Sequence, residues 1–436
     1  MIERPVSAAL YERAKSVMPG GNTRVTVFMK PHPYYASHGK GCRLTDADGV
    51  DRLDFTNNYN SLIHGHAHPA IVSAVHAQLE RGTAYPMATE SEIRLAELMC
   101  ARVPSFDQIR FCNSGSEAVM FAVKAARAHT GRHKIAKCEG SYHGSYDQLE
   151  VSLDPTPETW GNSDPKSVPY VAGTPKSVLD DVVVIPFNKP DEAEPILRKH
   201  ARELACIVID LMPNRGGLIP ATPAFIEMLK RVREDTGVLL VFDEVITLRL
   251  ALGGAQELFG IRPDLTATGK IIGGGFPVGA VAGSAEVMAV FDPRDGKPAL
   301  SHSGTFNANP MTMVAGEAAM RLLTQAEIDR LGILGDRARG GVADTMEEIG
   351  LVGQVTGLGS LFRIHVHNRP LSDYRSMLTT DAEKALLAAI VRKMRDDGVF
   401  VNERGVCSLS TPMGDAEIET FLACFKSAAE MALTEH

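Results

Sequence analysis

Two residues of this chain have types and positions that could do chemistry together. Asp243 closes the apolar run Val238-Leu239-Leu240-Val241-Phe242. Lys270 follows 27 positions later, after Thr266-Ala267-Thr268-Gly269 and just before Gly273-Gly274-Gly275. An unbroken apolar run too short for a helix and bounded by charge predicts a parallel strand buried on both faces. In open α/β sheets ligands bind beyond the carboxyl ends of the strands, where a carboxylate is held rigidly in low dielectric. A lysine with its pKa lowered by partial burial forms Schiff bases, and a fixed carboxylate can keep a pyridine nitrogen protonated. Taken singly, Asp243 has an ordinary reading as a turn residue and Lys270 as a solvated amine. Taken together they suggest pyridoxal phosphate, provided the chain also supplies a phosphate site and a group to stack on the ring.

A phosphate site is offered by Gln108-Ile109-Arg110-Phe111-Cys112, which reads as a strand, followed by the turn Asn113-Ser114-Gly115-Ser116 and a helix from Glu117 to Thr130. Ser114 and Glu117 have capping-box spacing. Gly115 and Ser116 at a helix N-terminus present free backbone N–H groups, a hydroxyl and the positive end of the dipole, which suits a phosphate. The stacking group is Tyr142 in Gly140-Ser141-Tyr142-His143-Gly144, an aromatic flanked by glycines after the strand Lys134 to Cys138. His64-Gly65-His66-Ala67-His68 alternates three imidazoles, but no carboxylate or cysteine completes a recognisable ligand set, so no metal is expected.

The elements that must position these groups alternate. A weak helical stripe over residues 7–18 ends at Pro19-Gly20-Gly21. Two short strands flank the Asp48-Gly49 turn within residues 42–55, and helices are expected over about 69–78 and 90–102. Residues 147–181 have no sustained periodicity and read as an active-site loop. Strands over 182–187 and 206–211 then alternate with helices over about 191–200 and 223–236, which predicts a mainly parallel central sheet with helices on both faces. From Asn309 the chain turns helical, with strand-like stretches over 357–366 and 399–410. The expected division is an N-terminal segment 1–60, a large domain 61–308 and a C-terminal domain 309–436. The two ends together form a smaller α+β domain.

Composition bounds the partners. A formal charge of −8 and 22% charged residues in 436 argue against nucleic acid or an anionic membrane as the main partner and leave small molecules. No segment reads as a signal peptide or membrane span, so a cytoplasmic protein is expected. The 7 cysteines are widely spaced without a C-x-x-C pair and read as reduced, mostly buried thiols.

With Asn113-Ser114-Gly115-Ser116-Glu117-Ala118, Tyr142-His143-Gly144, Phe242-Asp243-Glu244-Val245 and Lys270-Ile271-Ile272-Gly273-Gly274-Gly275 in this order, the chain resembles the class III aminotransferases. Within them it is most similar to the branch of glutamate-1-semialdehyde aminomutases and β-amino acid (β-phenylalanine) aminotransferases. The resemblance implies the fold-type I pyridoxal phosphate architecture and a homodimer with shared active sites. It implies that Lys270 forms the covalent link to pyridoxal 5′-phosphate and that Asp243 pairs with the ring nitrogen. Val245 and Tyr142 would pack the two ring faces. Gly115 and Ser116 would hold the phosphate with Thr305 of the neighbouring subunit, and Arg24 and Arg404 would bind substrate carboxylates. One departure stands out: Asp210-Leu211 occupies the place where the family usually has Glu-Pro, so hydrogen bonding around the ring is expected to differ there. The activity expected first is transfer of an amino group from an amino acid, a β-amino acid above all, to a keto acid such as 2-oxoglutarate or pyruvate. An intramolecular aminomutase or racemase is the alternative, and a non-catalytic scaffold a distant third.

Overall fold

The computed structural model describes residues 4–435. Its centre is a seven-stranded sheet in the order Gln108–Cys112, Gly279–Gly283, Leu265–Gly269, Leu239–Asp243, Leu204–Ile209, Lys134–Cys138, Val182–Ile185. Gly279–Gly283 runs antiparallel to both of its neighbours, and the other pairings are parallel. Six carboxyl ends therefore share one edge. The apolar runs alternate between two cores. Ile207, Ile209, Leu240 and Phe242 pack under Phe225 and Leu229 of the helix Pro223–Thr236. Val208, Val241 and Ala267 pack under Val119 and Val123 of the helix Gly115–Thr130. Each of the Val, Leu, Ile and Phe side chains among them, fully removed from water, contributes roughly 1.5–3 kcal/mol.

The ends of the chain meet in a second sheet. Val399–Phe400 pairs in parallel with Asp51–Asp54, which continues into Arg43–Asp46 and Ala36–Lys40. A three-stranded sheet of Gln354–Thr356, Leu361–His365 and Val406–Ser408 lies in the same half, covered by the helices Gln325–Ile349, Asp381–Asp396 and Asp415–Glu435. The helix Pro310–Leu322 packs against Pro69–Leu79 and Glu90–Arg102 and so bridges to the larger half. Gly279–Gly283 escaped the sequence reading, and the regular helices within 325–435 were foreseen only as a helical region. Among the described residues no helix is long and apolar enough to cross a membrane. The seven cysteines form no disulfide, and five of them are buried.

Candidate active site

At the carboxyl edge of the central sheet, Asp243 ends one strand and Lys270 follows the next, so the parallel register places the acid and the amine side by side. Lys270 sits at φ +50°, a left-handed conformation that costs a side-chain-bearing residue energy and that clusters at functional sites. Burial pushes its amine down to about 8, against the upward pull of the Asp243 and Asp210 carboxylates. Asp243 is itself buried. Its Oδ1 accepts from the Val245 N–H at 3.1 Å and its Oδ2 lies 2.8 Å from Nδ1 of His143. Burial lowers the pKa of His143, partly offset by its bond to Asp243. Nδ1 is the ring nitrogen that meets the Asp243 carboxylate and holds it in place.

Asp210, one residue beyond its strand, is held well above the usual carboxylate range by burial and then by repulsion from Asp243. Two acids that share a dry site oppose each other's ionisation, which is the direction of the shift at Asp210. Its Oδ1 accepts from the Met212 N–H at 2.9 Å, so the acid that replaces the family's Glu is tied to its own turn.

The phosphate turn is built as expected, with one correction. Ser114 Oγ accepts from the Glu117 N–H at 3.2 Å, but the Glu117 carboxylate reaches the N–H of Asn113 at 2.6 Å rather than that of Ser114. No described hydrogen bond uses the N–H groups of Gly115 and Ser116, so these first-turn donors of a 16-residue helix are available to an anion. The close approach depends on glycine. A Cβ on Gly115 would stand 3.0 Å from the Val245 methyls, and one on Gly144 would stand 2.6 Å from Cα and Oγ of Ser116. Gly115 also lies against Gly269, so Gly115, Ser116, Val245, Asp243 and Lys270 are drawn together, with Tyr142, 47% exposed, on the adjoining turn. An enclosed amine, a buried carboxyl group and unused helix-terminal donors are a donor set that fits pyridoxal phosphate. Only the unprotonated amine attacks an aldehyde. Apoprotein should therefore take up the cofactor covalently faster as pH rises from 7 to 9, with a midpoint near 8, as read from growth of the visible band. A flat profile would remove Lys270 from this role.

The remaining expected site residues make no described hydrogen bond or ion pair with Lys270 or Asp243. Thr305 is exposed beside Phe306, in a segment tied to the phosphate turn by Asn113 Nδ2 donating to Asn307 Oδ1 at 2.8 Å. Arg24 is exposed, donates to Asn58 Oδ1 at 3.0 Å and lies over the Tyr59 ring. Its support is unusual: residues 57–60 form a left-handed turn with φ of 47°, 45°, 55° and 72°. Three of the four are asparagines, which tolerate that region best after glycine. Asp54 Oδ1 anchors the turn by accepting from the N–H groups of Thr56 and Asn57. Arg404 is exposed near Arg363, whose Nε donates to the Arg404 carbonyl at 3.1 Å.

The long loop is fastened by groups that the sequence did not single out. Arg375 grips the buried Glu139 through two bonds of 2.6 and 2.9 Å and donates to the carbonyls of Trp160, Gly161 and Asn162. Tyr374 lies over Gly140, where a Cβ would stand 1.9 Å from its ring. The histidines near residue 66 have structural partners: His64 Nε2 meets the Ala319 carbonyl and His66 Nε2 meets Asp54, each at 2.8 Å.

A family model for class III aminotransferases matches residues 26–428. Among solved structures, an omega-transaminase from Sphaerobacter thermophilus is 53% identical with a TM-score of 0.95, covering 98% of both chains. A β-phenylalanine aminotransferase from Variovorax paradoxus is 35% identical with a TM-score of 0.87, covering 97% of this chain and 93% of that one. Among curated proteins, glutamate-1-semialdehyde 2,1-aminomutase from Methanothermobacter thermautotrophicus is 36% identical over 431 residues, 98% of this chain and 99% of its own. The names of the curated relatives back the intramolecular alternative better than the intermolecular activity expected first. Both activities belong to one enzyme family, and with the family model running almost from end to end this chain is a member of the class III aminotransferases, with pyridoxal 5′-phosphate as its cofactor.

Proposed function

We propose that the chain moves an amino group from an amino acid, a β-amino acid above all, to a keto acid such as 2-oxoglutarate or pyruvate. The observation that carries amino-group chemistry is the enclosed amine of Lys270 beside the buried Asp243. Intermolecular transfer is supported by the higher identity to the solved omega-transaminase and by two exposed guanidiniums, Arg24 and Arg404, supplied from opposite ends of the chain. The second reading is an aminomutase, favoured by the curated relatives. Holoenzyme given one amino compound and no acceptor decides between them. A transaminase converts one equivalent and stops until a keto acid is added, whereas an aminomutase accumulates the isomer without it.

Bound pyridoxal phosphate supplies a protonated ring that takes up the electron pair left when a proton leaves the amino-bearing carbon. Asp243 would hold the ring N–H, and His143 and the Val245 N–H hold Asp243 in place. Gly115 and Ser116 would hold the phosphate, and Val245 and Tyr142 would lie against the ring. With the cofactor bound, the Lys270 amine would be the base that takes the proton from the amino-bearing carbon and returns it to a neighbouring atom. Its lowered pKa keeps a useful fraction unprotonated near neutral pH.

Arg24 is assigned the carboxylate of the β-amino acid and Arg404 the α-carboxylate of the keto acid. In a β-amino acid the carboxylate lies one carbon farther from the reacting nitrogen, so one fixed cation cannot serve both. Arg24→Ala should slow the donor half-reaction and Arg404→Ala the acceptor half-reaction, each by at least ~10-fold in kcat/KM, in single-turnover absorbance traces. Equal damage to both halves would refute the division.

We also assign the protein to the cytoplasm and its sites to a homodimer in which Thr305 crosses to the neighbouring subunit's phosphate; the exposure of Thr305 and Phe306 supports the crossing. Light scattering on dilution should show cofactor loss accompanying dissociation, and a fully active monomer would overturn the shared site. The division into 1–60, 61–308 and 309–436 is kept, with Pro310–Leu322 as the bridging helix.

A further inference from the structure

Residues 372–377, between the strand Leu361–His365 and the helix Asp381–Asp396, form a turn stiffened by its own side chains. Asp373 Oδ1 accepts from the Ser376 N–H at 2.8 Å, and Ser376 Oγ accepts from the N–H groups of Ser372 and Asp373 at 2.9 and 3.0 Å. Lys189 ties the turn to the half that holds the central sheet, through Asp373 at 2.8 Å. Two side chains leave this turn for the residues just before Tyr142. Arg375 takes the Glu139 carboxylate in a fork, and the Tyr374 ring lies on Gly140, whose φ of +71° and missing Cβ leave the room for it. The Tyr374 hydroxyl is held in turn, 3.0 Å from both Asp154 Oδ1 and the Pro155 carbonyl.

Arg375 has no donors to spare for a substrate. Nε and Nη2 serve Glu139, Nη2 also donates to the Trp160 carbonyl at 2.9 Å, and Nη1 donates to the Asn162 carbonyl at 2.6 Å. The Glu139 side chain is only 3% exposed. A carboxylate that deep is stable only with a bonded partner, so Arg375 decides where Glu139 sits. The far end of the same stretch is set by groups of the cofactor site. His143 meets Asp243 at 2.8 Å, and the Ser145 N–H donates to Ser116 Oγ at 3.1 Å. Tyr142 stands between these two anchorages, half-exposed and with no described hydrogen bond of its own. Its ring goes where the backbone of residues 139–145 carries it.

We propose that Arg375, together with Tyr374, is a positioning residue for Tyr142, so that a turn from the C-terminal part of the chain fixes how Tyr142 covers the cofactor ring. Arg375 acts through Glu139 and Gly140 and touches neither cofactor nor substrate. This rests on the assignment of Tyr142 to the ring.

The test is a double-mutant cycle read as the affinity of the full chain for pyridoxal phosphate, from its visible band. Tyr142→Leu should weaken binding roughly 10-fold, within the range of an aromatic stack on a heterocyclic base, and Arg375→Gln should cost about as much. The double variant should be no weaker than Tyr142→Leu alone to within about 2-fold, because a residue that acts through Tyr142 has nothing left to position. Arg375→Lys, which keeps the charge without the fork, should recover part of the loss. Arg369→Gln should change nothing: Arg369 lies six residues away and pairs with Glu383 instead. Should Arg375→Gln fail to fold with Glu139 left alone, Tyr374→Leu runs the same cycle. Losses that multiply in the double variant, no loss on Arg375→Gln, or an equal loss on Arg369→Gln overturn the proposal while leaving Tyr142 on the ring. Unchanged affinity of Tyr142→Leu removes Tyr142 from the ring and the proposal with it.

Discussion

Lys270→Ala protein will fold, bind pyridoxal phosphate without a covalent link, and turn over at least ~10⁴-fold more slowly, the upper range of what a positioned proton-transfer group contributes. The substitution removes both the anchor for the cofactor and the base. It also removes a buried amine whose charged form the site disfavours, so the apoprotein should lose little stability. The rival lysine is Lys137, fully buried and pushed down to about 7. Geometry separates the two. The Lys137 amine donates to the Val151 carbonyl at 2.7 Å, whereas Lys270 stands between Asp243 and the phosphate turn. Borohydride reduction of holoenzyme followed by peptide mapping should place the label on the peptide holding residue 270. A label on the Lys137 peptide would reverse the assignment.

Asp243→Asn is the second large effect expected: a ~10²–10³-fold loss in the rate of proton removal, the range seen when one preorganised electrostatic stabiliser is deleted. Asparagine can still accept from Val245 N–H and His143, so the fold should survive. Relief of repulsion with Asp210 and Glu244 should leave the apoprotein at least as stable. What is lost is the negative charge opposite the ring nitrogen. Exchange of the donor's carbon-bound hydrogen with deuterated solvent reads that step directly, and cofactor affinity should fall in parallel. A change under ~10-fold would mean that another group carries the ring charge, with Asp210 the first to examine.

The doubly buried strands were legible because the apolar run ending in Asp243 has no polar residue to give it a solvent face. The helix Glu90–Arg102 was legible from apolar residues at helical spacing, and Pro223–Thr236 from its place in the alternation of strands and helices. Gly279–Gly283 was not, because Gly-Ala-Val-Ala-Gly carries no strand signal of its own. It is a strand because it fits between two others, where a Cβ on Gly279 would stand 2.0 Å from the Ser114 carbonyl oxygen. In the site, Asp243, Lys270 and the phosphate turn announce themselves by residue type at strand ends. His143 was named only as part of the Tyr142 turn, since nothing in a single histidine shows that a carboxylate 100 residues away will meet it. Arg375 and Arg363 were silent for the same reason: a guanidinium's partners are decided by folding, not by its neighbours in the chain.

The pairing of Val399 with Leu53 also sets the order in which a ribosome can build this protein. All seven strands of the central sheet lie between residues 108 and 283, so that sheet can assemble while the C-terminal region is still unmade. Asp51–Asp54 has no such freedom. Its parallel neighbour is 346 residues downstream, a delay on the order of 20–70 s at ordinary translation speeds. Until then that edge of the emerging chain is an open strand next to the hairpin it already forms, and it is the segment that a chaperone would have most reason to shield.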